Sequence, residues 1–194
     1  MIKLLILFSL ILVPLAVSSK NVSGCQIYTE KYNKIYRLPN KLLTSISLVE
    51  SGMVKGKTIN SWPWSLNIND KKKYFDNKKD TLIFLKKSLQ KNRNIDVGCM
   101  QINYKFHGHN FNNLDHILNP EENVKYAAKF LKKLFKRHKS WNEAISRYHS
   151  SEPIRKKRYL TKVKNFWDKL RQRKININHT SNQNLNENKI KYFR

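Results

Sequence analysis

Glu50 closes the run Leu42-Leu43-Thr44-Ser45-Ile46-Ser47-Leu48-Val49-Glu50, just before Ser51-Gly52, and its spacing singles it out. Ile46 precedes it by one helical turn and Leu43 by two, so on a helix Glu50 belongs to the apolar stripe and not to the wet face. A carboxyl group on an apolar face loses water, which disfavours its charged form and raises its pKa. A general acid working near neutral pH requires that property. Trp62, Trp64, Tyr104 and Tyr148 are of the types that stack on sugar rings or nucleobases. A buried acid near aromatic residues points to cleavage of a glycosidic bond. The ordinary alternative is a helix-end glutamate paired with a lysine, with the tryptophans in the core.

Other candidates carry less. His107-Gly108-His109 has a metal-like look, but no carboxylate or cysteine at suitable spacing completes a site, so these read as exposed loop histidines. No metal and no cofactor is expected. Asp96 reads as structural; as a second working carboxylate it would instead imply a hydrolase. Asp70, Asp76 and Asp80 lie in a lysine-rich stretch and read as a cap and solvated charges.

The elements that must position Glu50 follow from periodicity. Tyr28, Tyr32, Ile35 and Tyr36 predict a first short helix, broken at Leu38-Pro39-Asn40. Leu42, Leu43, Ile46 and Val49 predict a second, which Ser51-Gly52 closes, with Gly52 as a left-handed terminal residue. The helical period is lost over 58–69, where Trp64, Leu66 and Ile68 alternate as in a short hairpin. Residues 76–90 return to helix, with Leu82, Leu85 and Leu89 in register, and 94–103 form a second turn-and-strand patch. Asn119-Pro120-Glu121-Glu122 and Ser140-Trp141-Asn142-Glu143 are helix starts. After Pro153 a last helix carries Tyr159, Val163, Phe166, Trp167 and Leu170 on one stripe. The expected fold is mainly α, with one small β-like insert around residues 60–103.

The 194-residue chain is long enough for one domain with extensions. Residues 1–19 have a lysine, an apolar run and small residues in the order of a secretory signal peptide; a retained anchor helix is the alternative. Residues 171–194 are polar and Asn-rich, the composition of a disordered tail. In an exported chain the two cysteines, Cys25 and Cys99, read as one disulfide. The competing reading makes Val22-Ser23-Gly24-Cys25 a lipobox with Cys25 lipidated, against which Lys20 and Asn21 separate it from the apolar run. There is no Cys-x-x-Cys, hence no support for zinc or thiol redox chemistry. A net charge of +26 and a pI near 10.2 imply polyanionic surroundings. Export ranks an anionic wall or membrane surface above nucleic acid.

Four segments in order, LLTSISLVESG (42–52), GCMQIN (98–103), NVKYAAKFLKKL (123–134) and SRYHSS (146–151), resemble the catalytic domain of soluble lytic transglycosylases, in the lysozyme-like superfamily. The similarity spans most of Cys25–Tyr159, and a lysozyme-like domain over 25–170 is implied. So is a periplasmic enzyme, monomeric, working on peptidoglycan strands and able to serve a secretion or cell-wall machine. The resemblance implies that Glu50 is the single catalytic acid, cleaving between N-acetylmuramic acid and N-acetylglucosamine. It also implies that Glu50 then deprotonates the C6 hydroxyl, giving a 1,6-anhydro end without water. A water-using muramidase of goose-lysozyme type shares the fold and the acid. A non-catalytic cationic wall binder is the reading from another class.

Further roles are implied residue by residue. Ser51 is placed to orient substrate or, equally, to serve as a helix-end hydroxyl. Gly98, Met100 and Gln101 match the loop lining the cleft, with Gln101 bonding sugar and Met100 either lining or plugging the core. Tyr148 matches the tyrosine of the family's Ala-Tyr-Asn-x-Gly motif. That motif is altered here: His149 stands where the family has asparagine, and the glycine is missing.

Overall fold

The computed structural model describes the backbone of residues 24–191 and side chains through Gln172; the expected signal peptide lies outside them. Helix α1 (Gly24–Ile35) precedes α2 (Leu42–Ser51), and Asn33 is what joins them. Its amide donates to Leu38 O at 3.1 Å and accepts from Leu43 N–H at 3.1 Å. The α1 core face is therefore Cys25, Thr29, Tyr32 and Asn33, whereas Ile35, expected on that stripe, is 58% exposed. Closing the turn requires an amide inside, and that rotates the helix away from its apolar periodicity.

Helices α6 (Pro120–His138), α7 (Trp141–His149) and α8 (Pro153–Lys191) complete the helical body. The packing runs in a circuit: α1 against α2 and α6, α6 against α7, α7 against α8, and α8 back onto α2. Asn119 and Ser140 cap α6 and α7 through their side chains, which satisfies backbone N–H groups that no carbonyl reaches. Leu42, Leu43, Ile46, Val124, Ala127, Ala128, Leu131, Ile145 and Val163 form the core, all with no exposed surface. Ala127 and Ala128 keep α6 close to its neighbours. The helical backbone of α8 continues through most of the segment whose composition reads as a tail, and the last buried side chain described on it is Val163.

The β region begins earlier than expected, at Gly52. Strands β1 (Gly52–Lys55) and β2 (Thr58–Ser61) form a hairpin directly after α2. Gly52 is not left-handed as expected: its φ is −58° and its ψ is 123°. Glycine is required there by close approach, because a Cβ would lie 2.2 Å from Leu48 O and 2.9 Å from Ile59 Cδ1. A second sheet has the order β4-β3-β5-β6, from β3 (Ser65–Ile68), β4 (Lys71–Tyr74), β5 (Ile95–Val97) and β6 (Ile102–Asn103). Asn69 and Asp70 turn β3 into β4 with φ of 51° and 62°, the paired positive values of a tight two-residue hairpin. Helix α3 (Lys78–Leu89), capped by Asn77, covers this sheet through Thr81 and Leu85. Register places Lys72, Asn67, Asp96 and Asn103 opposite one another, one on each of the four strands. Short helices α4 (Tyr104–His107) and α5 (Leu114–Leu118) bridge to α6. The fold is thus mainly helical with small antiparallel sheets, an α+β lysozyme-like arrangement.

Candidate active site

Glu50 lies in the last turn of α2, where the apolar stripe meets the β region. Its side chain is half-buried, and loss of water is the largest influence on it, pushing the pKa up from 4.5 to about 7. The negative charge of Asp96 adds to the rise. The Tyr159 hydroxyl, which donates to Glu50 Oε1 at 2.5 Å, works in the opposite direction, as do the cations of Lys72 and Lys162. The acid is therefore held near the middle of its titration at neutral pH by burial, with one hydroxyl and two cations limiting the rise.

Three parts of the chain surround it. The first is the 98–101 loop. Gly98, φ 79°, packs so closely on Asn123 that a Cβ would sit 2.9 Å from its Nδ2. Asn123 is fully buried on α6 and ties the loop down: its amide donates to Val97 O and Ile117 O, and its oxygen accepts from Met100 N–H. Gln101, φ 46°, is half-buried and donates to Gly98 O and to Ser65. Cys99 joins the loop to α1 through a disulfide with Cys25, Cα–Cα 5.6 Å.

The sheet face is the second part. Lys72 reaches from β4 to the end of α2, donating to Glu50 O at 2.6 Å and Val49 O at 3.3 Å, carbonyls that the helix leaves open. Asp96 accepts from the Asn67 and Asn103 amides at 2.9 and 2.8 Å, one on each carboxyl oxygen. Burial nevertheless raises its pKa. An open hollow of about 280 Å³ lies on this side, lined by Asn67, Asn69, Asp70, Asn94 and Asp96.

The third part is α7 with α8. Tyr148 donates to Met100 O at 2.9 Å, which links α7 to the loop, and Tyr159 supplies the hydroxyl on Glu50. Burial and the nearby Glu50 charge keep both phenols well above 10, so both remain donors.

The expected site residues separate into two groups. Glu50, Gln101 and Tyr148 keep exposed surface around the cleft, with Gly98 shaping the loop. Ser51 and Met100 have no exposed surface. The Ser51 hydroxyl donates to Cys99 O at 2.7 Å, beside that of Ser47 at 3.0 Å, so both serines fasten α2 to the loop. Met100 meets the rest of the site through its carbonyl, as the plug and not as the lining. Trp62 is half-buried, with its indole N–H committed to Phe75 O at 2.7 Å. His107 is not an exposed loop histidine: it bonds the Tyr126 hydroxyl at 2.8 Å and packs on Phe130. Tyr159 and Lys72 were not singled out as site residues by sequence. Tyr159 carried a signal, since a phenol on a buried stripe needs a partner for its hydroxyl. Lys72 carried none, standing in a run of three lysines.

The site therefore sets one desolvated glutamate at a cleft between the helices and a small sheet of a lysozyme-like fold. The family profile of the Transglycosylase SLT domain matches residues 27–170, and the chain belongs to that family. No curated protein and no solved structure matches it.

Proposed function

We propose that the protein is a peptidoglycan lytic transglycosylase with Glu50 as its catalytic acid. The observation that carries this is the Glu50 carboxyl itself, with its pKa near 7 and a tyrosine hydroxyl at 2.5 Å, inside a transglycosylase domain. Protonated Glu50 gives its proton to the glycosidic oxygen between N-acetylmuramic acid and N-acetylglucosamine, and the C1–O bond breaks. The carboxylate left behind takes the proton of the muramic C6 hydroxyl while O6 bonds to C1. The new end is a 1,6-anhydro sugar, Glu50 is protonated again, and no water is consumed. A pKa near 7 suits both halves, since the group must give and take one proton at the same pH. Gln101 and Tyr148 stand as sugar contacts at the cleft wall. The substrate lies outside the cytoplasm in this reading, so it includes export to the periplasm through residues 1–19.

A water-using muramidase has one observation in its favour, the second desolvated carboxyl at Asp96. Both Asp96 oxygens already accept an amide N–H, which favours a structural role. Mass spectrometry of digested peptidoglycan separates the two. The expected fragments end in anhydro sugars; fragments heavier by one water would overturn the transglycosylase reading. Glu50→Gln is expected to lose activity by about two to four orders of magnitude. Unchanged wall clearing by that variant would remove Glu50 from the chemistry.

A further inference from the structure

His149 occupies the last position of α7, where the family motif has asparagine, and nothing in the proposed reaction uses it. Its ring lies on the Tyr159 ring with centroids 4.6 Å apart and planes 5° from parallel. Tyr159 is only 4% exposed, and its hydroxyl is the donor to Glu50. His149 itself is exposed. The Tyr159 phenol therefore links the exposed imidazole on its face to the Glu50 carboxyl at its hydroxyl.

We propose that His149 is a positioning residue for Glu50 that acts through Tyr159, by covering the phenol ring and holding its hydroxyl on the carboxyl group. This rests on the reading of Glu50 as the acid. An aromatic cover restricts rotation of the tyrosine by ring-on-ring contact, which an asparagine side chain does less well. The Tyr159 hydroxyl lowers the proton affinity of the Glu50 carboxyl, so a cover that holds the phenol in place bears on titration as well as on geometry.

The groups facing this chain are few. Glu50 is met by Asp96 on β5, Lys72 on β4, Tyr159 and Lys162 on α8, and Tyr148 on α7. His149 is met by Asp96 and Asp70 from the sheet side, which favour its cation, and by Arg155 and Lys162 on α8, which oppose it. Loss of water is the largest influence and lowers its pKa, so the neutral ring is the form stacked at neutral pH.

Two variants separate cover from charge. His149→Phe keeps a flat ring and cannot titrate; His149→Ala removes the cover. The readout is the titration of Glu50 in the full exported chain carrying ¹³C-labelled glutamate, assigned with Glu50→Gln. Titration in His149→Phe is expected to stay within about 0.3 pH units of wild type, and in His149→Ala to move up by as much as about one unit, toward that of Tyr159→Phe, as the phenol loosens from the carboxyl group. With peptidoglycan, His149→Ala is expected to lose about ten- to a hundredfold in kcat, with a smaller change in KM. A folded His149→Ala protein in which Glu50 titrates as in wild type would overturn the proposal. So would a His149→Phe protein that shifts as far as the alanine variant, since the flat ring would then not be the agent. If His149→Ala does not fold, His149→Asn takes its place, with an upward shift expected and an unchanged titration refuting. Because the titration needs no turnover, it stands even if Glu50→Gln proves active and the catalytic reading falls.

Discussion

Glu50→Gln should make the protein more stable above neutral pH while removing its chemistry. The folded state holds the Glu50 carboxyl at about 7, against the ordinary 4.5 that it regains on unfolding. Between those values the folded chain binds the proton and the unfolded chain does not, so stability falls as pH rises through this window. The cost is absent below pH 4.5 and complete above about 7. Its size is about 2 to 3 kcal/mol, from the displacement of the pKa and the surface that Glu50 keeps on the cleft. Glutamine has the shape of the neutral acid and still accepts from the Tyr159 hydroxyl, so it escapes the cost without leaving a cavity. Urea unfolding of both proteins at pH 4, 6 and 8 measures it. The expected difference is near zero at pH 4 and about 2 to 3 kcal/mol in favour of glutamine at pH 8. Parallel stability curves across that range would refute the burial account, and with it the reason for assigning Glu50 a proton-transfer role.

Tyr159→Phe removes the donor that favours the Glu50 carboxylate, so the pKa should rise by about one unit and the alkaline limb of the activity profile should move up with it; a limb that stays in place would count against the hydrogen bond. Cys25→Ser with Cys99→Ser releases a cross-link spanning 74 residues. By chain entropy the loss is about 4 kcal/mol, read as a lower denaturation midpoint that reductant no longer changes. Asn123→Ala leaves two carbonyls and the Met100 N–H without their buried partner, and should cost about 3 kcal/mol or more in denaturant unfolding; a loss under about 1 kcal/mol would mean that the loop is held by other contacts.

The helical frame was legible because each main helix carries its own signal. Leu42, Leu43 and Ile46 mark the core side of α2, and Asn119-Pro120 opens α6 as its cap demands. Glu50 stood out for the same reason, as a charge inside a period. Legibility failed where a residue's role comes from another part of the chain. Ser51 resembles a helix-end hydroxyl or a sugar contact until the Cys99 carbonyl appears beside it. Gly52 resembles a left-handed cap until Ile59 is folded back over it by the β1–β2 hairpin. That hairpin has little local apolar pattern, since Val54 is 72% exposed and Ile59 36%. Pairing with β1 defines it, and pairing has no sequence period of its own at this length.

The site also shows why a chain with so many cations can keep a glutamate protonated near neutrality. Charge alone would favour the carboxylate, and Lys72 and Lys162 do pull in that direction. Lys72 spends its hydrogen bonds on the carbonyls of Val49 and Glu50, and not on the carboxyl group. It acts as a distributed field and a backbone clamp, while the carboxyl receives a neutral donor from Tyr159. Asp96, in the same cross-strand row as Lys72, partly offsets that field. A lysine placed directly on Glu50 would fix it as a carboxylate and remove its proton from use. The arrangement therefore separates two tasks in space: the Lys72 cation holds the backbone of the helix end, and a phenol holds the acid. That separation allows burial to remain the dominant influence on Glu50 in a protein of net charge +26.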